Sequence, residues 1–378
     1  MPSYVVVLRG PSDAAFNPDG PPLVVTTFPS REGPVDLIYR LYVQDEGFSV
    51  PVPRGLWVDV RGNAPSLPAA QEAFAMAARA LVPIIAVATN APIGELDVEL
   101  AYDNTPGVAE REFVQTFLPA ERGPPTQRRR VDVPATISFL RAVSSHPDAD
   151  RLRRSIAQYH QALVNWAPGR ETLALAHLYM AIEALTKAAL RNLCQQDALD
   201  EPGLAKLWRV KPESLDSEVR RRVLFQGDDA CYKKAKDASD GFEHGFMAFP
   251  EVHSLALEVR DRTASYLRAA IVELAGVDDV TRSVLLDPPY NKPLASWEYS
   301  KQIHARLVGP TDELAAKDKE YPMFRWASSL KGLSRDPSGK YNPEVQENLT
   351  AQLGEGVSFD VDRFEVRGPP EDEEHSSS

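Results

Sequence analysis

From Arg170 to Cys194 the chain places Leu173, Leu175, Leu178, Tyr179, Ile182, Leu185 and Leu190 on most sides of one predicted helix. A helix that is apolar nearly all round has to be buried, so any fold this chain adopts is built around that segment. The flanking sequence supplies partners for it. Leu152, Ile156, Tyr159, Leu163 and Trp166 recur at steps of four and three, which lines one face of a helix, and Asp148 and Asp150 stand where a helix N-terminus favours acids. Shorter helices are expected over Ser214 to Leu224 and Asp229 to Phe246. A long one follows from Glu251 to Leu274, started by Pro250 and ended by Gly276. Residues 136–276 therefore read as a helical bundle.

The flanks have a different period. Tyr4 to Leu8, Leu23 to Thr27, Val35 to Tyr42 and Leu56 to Val60 read as short strands separated by Pro and Gly, followed by an alanine-rich helix from Ala69 to Val82 that Pro83 should end. Glu95 to Ala101 and Glu110 to Leu118 read as two more strands. Pro119 to Pro134 holds four prolines and Arg128, Arg129 and Arg130, the composition of a linker whose arginines are solvated or touch nucleic acid. Beyond the bundle, Ile303 to Val308, Phe324 to Leu330 and Phe359 to Val366 suggest strands, and the tail from Glu371 to Ser378 has no apolar residue. The expected fold class is α+β multidomain. It comprises an N-terminal α+β domain (1–118), a linker (119–135), the all-α bundle (136–276), a small β-rich region (277–368) and a disordered acidic tail (369–378).

Charge and cysteine content narrow the function classes. A net charge of −12 argues against coating nucleic acid with the whole molecule, yet residues 136–276 hold 19 Lys and Arg against 19 Asp and Glu, so the deficit lies outside the bundle. Two cysteines, Cys194 and Cys231, have neither disulfide-framework nor zinc-site spacing, which fits a reducing cytoplasm and no metal. No secretory signal opens the sequence and the nearest approach to a membrane span, Ala73 to Ala88, contains Arg79 and Pro83, so no membrane partner is expected. Phosphate loops, dinucleotide fingerprints, nucleophile elbows and zinc-protease helices do not occur, and no cofactor is expected.

One constellation has the residue types for chemistry. Glu183 lies between core-type residues in Met180-Ala181-Ile182-Glu183-Ala184-Leu185, and a buried carboxylate needs a partner. Asp237, Asp240 and His244, spaced by three and four, share a helical face that provides one, while Gly241 and Gly245 let a neighbouring helix come close. His244 with Asp240 and Glu183 beside it suits proton transfer at an RNA 2′-hydroxyl. The same residues equally suit a polar network pinning two helices, and the glycines suit tight packing or a helix end. Three other Arg-to-His pairs have a similar spacing: Arg141 with His146, Arg154 with His160 on the polar side of its helix, and Arg170 with His177. Arg220, Arg221 and Arg222, with Lys233, Lys234 and Lys236, form either a nucleic-acid-binding patch or solvated helix faces.

Tyr179-Met180-Ala181-Ile182-Glu183-Ala184-Leu185, followed by Asp237-Ala238-Ser239-Asp240-Gly241-Phe242-Glu243-His244-Gly245, resembles the HEPN superfamily and particularly its Apea-like branch. The resemblance covers 136–276. It implies a helical bundle that dimerises, binds RNA or nucleotides and serves in defence or stress response. Its nuclease members carry an arginine upstream of the histidine, where this chain has Asp237, Ala238 and Ser239, so the donor that would hold phosphate is missing from the motif. Three readings follow: a binding module for RNA or nucleotide, a metal-independent endoribonuclease using His244, and a non-enzymatic scaffold or homodimer joined through the bundle.

Overall fold

Tyr4, Val6 and Leu8 of β1 (Ser3–Gly10), with Leu56, Val58 and Val60 of the strand paired to it, belong to the core, and Val5 and Val7 on the opposite side of β1 are buried as well, so this apolar run forms a central strand. The structure, a computed structural model, describes residues 1–44, 52–118, 128–294, 300–309, 313–317, 319–336 and 341–367. A mixed α+β region, an all-α bundle and a small β-rich region follow one another along the chain. The first two form one compact unit and the last forms a second.

In the first unit β3 (Leu23–Ser30), β4 (Gly33–Gln44), β5 (Val52–Asn63), β1, β6 (Asp97–Asp103) and β7 (Phe113–Gln115) make a six-stranded sheet in that order. β1 runs antiparallel to both β5 and β6. Separately, β2 (Ala14–Ala15) pairs in parallel with β8 (Arg129–Arg130). α1 (Leu67–Thr89) covers the apolar face and is fixed to it by the Tyr39 hydroxyl, which donates to the Ala78 carbonyl at 2.6 Å. Ser66 caps its start and Asn90, in the left-handed region at φ 50°, ends it.

Pro83 does not end this helix, as the sequence suggested, but lies inside it. An interior proline costs about 3 kcal/mol. Ile84, Ile85 and Val87 beyond it are at most 5% exposed, and each contributes roughly 1.5–3 kcal/mol by burial, so continuing the helix wins.

The bundle follows: α2 (Val133–Ser145), α3 (Ala149–Val164), α4 (Glu171–Gln196), α5 (Glu201–Trp208), α6 (Leu215–Val219), α7 (Asp229–His244), α8 (Phe249–Ala275) and α9 (Asp279–Leu286). α4 packs on α3, α7 and α8 at the centre, where its all-round apolar surface required it to be. By length and composition α1 and α4 could each cross a membrane. In both, however, most of the apolar window (72% and 67%) is buried inside the protein, which accounts for that composition.

The bundle extends past both expected limits, since α2 begins within the anticipated linker and α9 falls where β structure was anticipated. Nor does a linker separate the sheet from the bundle, because α1 also packs on α2 and α3 and one continuous core runs through both. The joint is at the C-terminus of α1. Arg268 of α8, 2% exposed, donates to the carbonyls of Val87 (2.9 Å), Ala88 (3.1 Å) and Tyr290 (2.8 Å). Arg129, expected in a solvated linker or on nucleic acid, donates instead to the carbonyls of Asn90 (2.8 Å) and Lys292 (2.7 Å). Two guanidinium groups thus join carbonyls at the negative end of the α1 dipole to carbonyls of the segment after α9. Burial pulls the Arg268 pKa down to about 10, which leaves it charged at neutral pH. Residues 119–127 of the expected linker lie outside the described residues.

In the second unit β9 (Ser300–Val308) pairs with β12 (Ser358–Arg367), and β10 (Met323–Arg335) with β11 (Tyr341–Gln352), all antiparallel. The Phe324 and Phe359 rings meet edge to face at 4.0 Å. The expected disordered tail, 369–378, lies outside the described residues.

Candidate functional site

The segment after α6 departs from regular helix. Arg220–Leu224 is a π-helical turn in which the Phe225 amide reaches back five residues to the Arg220 carbonyl at 2.8 Å. Such turns are rare and concentrate at functional sites. The cause here lies in the apolar pattern. Val219, Leu224 and Phe225 are all buried, at five- and six-residue spacing, and the widened turn brings them to one side. It also sends Arg220 to a different partner from Arg221 and Arg222, which share Glu218.

Arg220 is aimed at α4. Its Nη1 donates to Glu183 Oε1 at 3.2 Å and its Nε to the Thr186 hydroxyl at 3.0 Å. Beside it is the hydroxyl of Tyr179, one turn before Glu183 on α4. Tyr179 is 3% exposed, and its buried hydroxyl donates to no acceptor among the described residues, since the Arg220 guanidinium beside it can only donate to the phenol oxygen. An unmet buried hydroxyl costs about 1–3 kcal/mol, so it marks a position awaiting an acceptor. Burial raises the Tyr179 pKa most and Tyr232 raises it further, whereas Arg220 lowers it by its charge and by a hydrogen bond to the phenol oxygen, and Asp240 adds the smallest, raising, effect. α7 contributes Tyr232, whose hydroxyl bonds Ser217 at 2.7 Å, and Lys236, paired with Asp240. That carboxylate raises the Lys236 pKa by its hydrogen bond, so the ammonium stays charged.

Cations and carboxylates here alternate and remain accessible. The Arg220, Lys236 and Asp240 side chains are 21%, 44% and 31% exposed, and Glu183 is 48% exposed. Phenol, guanidinium and ammonium donors thus stand on three mutually packed elements, with each of the two cations held by a carboxylate.

Several expectations change against this geometry. Glu183 is not buried and does not meet His244. Ile182 and Leu185 face the core, but Glu183 stands about 100° round the helix from Ile182 and reaches Arg220 in partial solvent. Asp240 does not orient His244, because Lys236 one turn back takes its carboxylate. His244 is the last residue of α7, exposed, and makes no hydrogen bond or ion pair within the described residues. Its neighbours Phe242, Phe246 and Phe249 are exposed as well, at 42%, 66% and 63%.

The glycines serve packing and the helix end. A Cβ on Gly241 would lie 2.9 Å from Met247 Cβ, and Gly245 at φ 65° is the left-handed cap of α7.

The anticipated basic patch is largely neutralised. Arg221 bonds Glu218 and Asp229, Arg222 bonds Glu218 and lies over the Trp208 ring, and Lys234 pairs with Glu258. Lys233, 80% exposed, has Asp237 only at 4.0 Å. Of the other Arg-to-His pairs, His160 is buried rather than on the polar side, bonded to the Ile93 carbonyl at 2.7 Å. His146 accepts from the Asp148 amide at 2.9 Å, and His177 bonds Gln158 at 2.9 Å. Each serves local structure.

Sequence reasoning found Glu183, Arg220, Lys236 and Asp240 but assigned them to separate tasks. It missed Tyr179 as a polar group. The available signal was a tyrosine on an otherwise aliphatic face, which must put its hydroxyl somewhere. No protein-family model, curated protein or solved structure matches this chain.

Proposed function

We propose that the bundle is a module that binds RNA or nucleotide through phosphate, without cleaving it, at the junction of α4, the π turn and α7. The observation that carries this is the buried Tyr179 hydroxyl, which donates to no acceptor among the described residues and has Arg220 beside it, with Lys236 on the adjoining α7. Phosphate oxygens accept from all three donor types, and charge-assisted bonds of this kind are about twice as strong as neutral ones. The arginine absent from the helix bearing His244 has a counterpart in Arg220, delivered by a different segment. That position supports holding phosphate and does nothing for proton transfer, since His244 makes no hydrogen bond or ion pair among the described residues. The resemblance to HEPN bundles points to the same ligand class.

Fluorescence polarisation of the full chain with labelled oligoribonucleotide, and competition by nucleoside phosphates, tests the reading. Binding should weaken at least about tenfold in the Arg220→Ala/Lys236→Ala double variant and fall with salt, while the RNA stays intact with chelator present. Unchanged binding in the double variant overturns the site. Cleavage that vanishes in His244→Ala overturns the non-cleaving assignment.

A further inference from the structure

Resting on that binding reading, we infer that the site distinguishes a terminal phosphate from an internal phosphodiester, because each of its two cations is already matched by one carboxylate. Arg220 is held by Glu183 and Lys236 by Asp240. A ligand must displace both carboxylates to use both cations. An internal phosphodiester brings one negative charge to replace two and leaves the cluster a charge short. A terminal phosphate monoester approaches two negative charges near neutral pH, since its second ionisation lies at a pKa of about 6, and it carries three acceptor oxygens. It replaces the carboxylates charge for charge and has an oxygen each for Arg220, Lys236 and the Tyr179 hydroxyl.

Burial sharpens this choice. Tyr179 is 3% exposed and Arg220 only 21% exposed at its side chain, so the phosphate must come partly out of water to reach them. A chain end can be inserted into such a position, whereas an internal phosphate drags nucleotides on both sides. Of the other basic residues of the patch, Arg221, Arg222 and Lys234 are each tied to an acid, so only the loosely paired Lys233 could follow an internal backbone. Glu183 and Asp240 thus act as built-in competitors that set specificity, and their loss should broaden recognition.

The test uses the full chain and one short oligoribonucleotide in three forms: 5′-phosphorylated, 3′-phosphorylated and unphosphorylated. At pH 7.5 at least one phosphorylated form should bind about tenfold more tightly than the unphosphorylated one, and at pH 5 that advantage should shrink to about threefold or less as the monoester loses its second charge. Glu183→Gln/Asp240→Asn should reduce the advantage by strengthening binding of the unphosphorylated RNA. Tyr179→Phe should weaken the phosphorylated form alone. Equal affinity for all three forms, with binding still dependent on Arg220, overturns the discrimination and leaves the binding module standing. Binding of none of them, or binding indifferent to Arg220→Ala, overturns both.

Discussion

Two places in the first unit gather arginine side chains, and they treat the charge in opposite ways. At the end of α1, Arg268 and Arg129 are surrounded by backbone carbonyls of Val87, Ala88, Asn90, Tyr290 and Lys292. At the π turn, Arg220 faces a carboxylate in partial solvent, next to a hydroxyl that donates to no acceptor among the described residues. Backbone carbonyls at a buried helix end are fixed by the chain and cannot turn away to water, even where a second donor also reaches them, as at Val87, Asn90 and Tyr290. A half-exposed carboxylate can turn back to water at little cost. The first arrangement holds the sheet to the bundle, and the second is exchangeable.

Removing one arginine from each place tests this most strongly. Arg268→Met should destabilise the protein by roughly 2–4 kcal/mol, because it leaves the buried Ala88 carbonyl without a donor and takes a charged donor from the carbonyls of Val87 and Tyr290, which keep only Asn90. Arg220→Met should cost less than about 1 kcal/mol, since Glu183 is free to solvate and the Thr186 hydroxyl keeps its bond to the Ile182 carbonyl at 2.8 Å. Denaturant unfolding of both variants gives the two values, and similar losses would erase the distinction.

The tyrosines sharpen the contrast because the predicted signs differ. Tyr159 donates to Asn90 Oδ1 at 2.9 Å, and both residues are fully buried. Tyr159→Phe therefore strands an acceptor and should cost about 1–2 kcal/mol. Tyr179→Phe removes an unmet hydroxyl and should be neutral or stabilise by up to about 1 kcal/mol, while weakening phosphate binding. A clear destabilisation by Tyr179→Phe in the thermal midpoint would show that its hydroxyl already has a partner.

Acid should disturb the π turn through a group with no counterpart among the partners of Arg268. Glu218 braces Arg221 and Arg222, and the hydrogen bond from Arg221, foremost, holds its pKa below the ordinary glutamate range. A carboxyl depressed in the folded state contributes stability that is fully present above its unfolded pKa, near 4.5, and is lost as pH falls through the lower folded value. Glu218→Gln should therefore cost up to about 1 kcal/mol at pH 7 and little at pH 3. Stability curves for the two proteins that run parallel from pH 7 to pH 3 would contradict this.

How much of this was legible in the sequence depended on whether a residue's role follows from its own periodicity. α3, α4, α7 and α8 were readable because apolar residues at three- and four-residue steps state which face is buried. β1, β3, β4 and β5 were readable from short apolar runs between Pro and Gly. α2 was obscured by the proline-rich segment before it, although Asp132 caps it by accepting from the Ala135 amide at 2.9 Å. The shared core was not readable, because nothing local in Arg129 or Arg268 shows that each meets a helix end distant in sequence. The pairing of Arg220 with Glu183 was hidden for the same reason, and the widened turn that aims Arg220 depends on burying Leu224 and Phe225 together.

The smallest expected effect belongs to the residue that looked most functional. His244→Ala should change stability by less than about 0.5 kcal/mol and RNA binding by less than about twofold. His244 ends α7 in solvent and makes no hydrogen bond or ion pair among the described residues. Gly245→Ala next to it should cost more, roughly 1 kcal/mol, because a side chain must then adopt φ 65°. In the segment from Ser239 to Gly245 the backbone cap therefore outweighs the imidazole. Loss of binding in His244→Ala with an unchanged thermal midpoint would move the ligand to the end of α7, and the exchangeable arginine would no longer be the centre of the site.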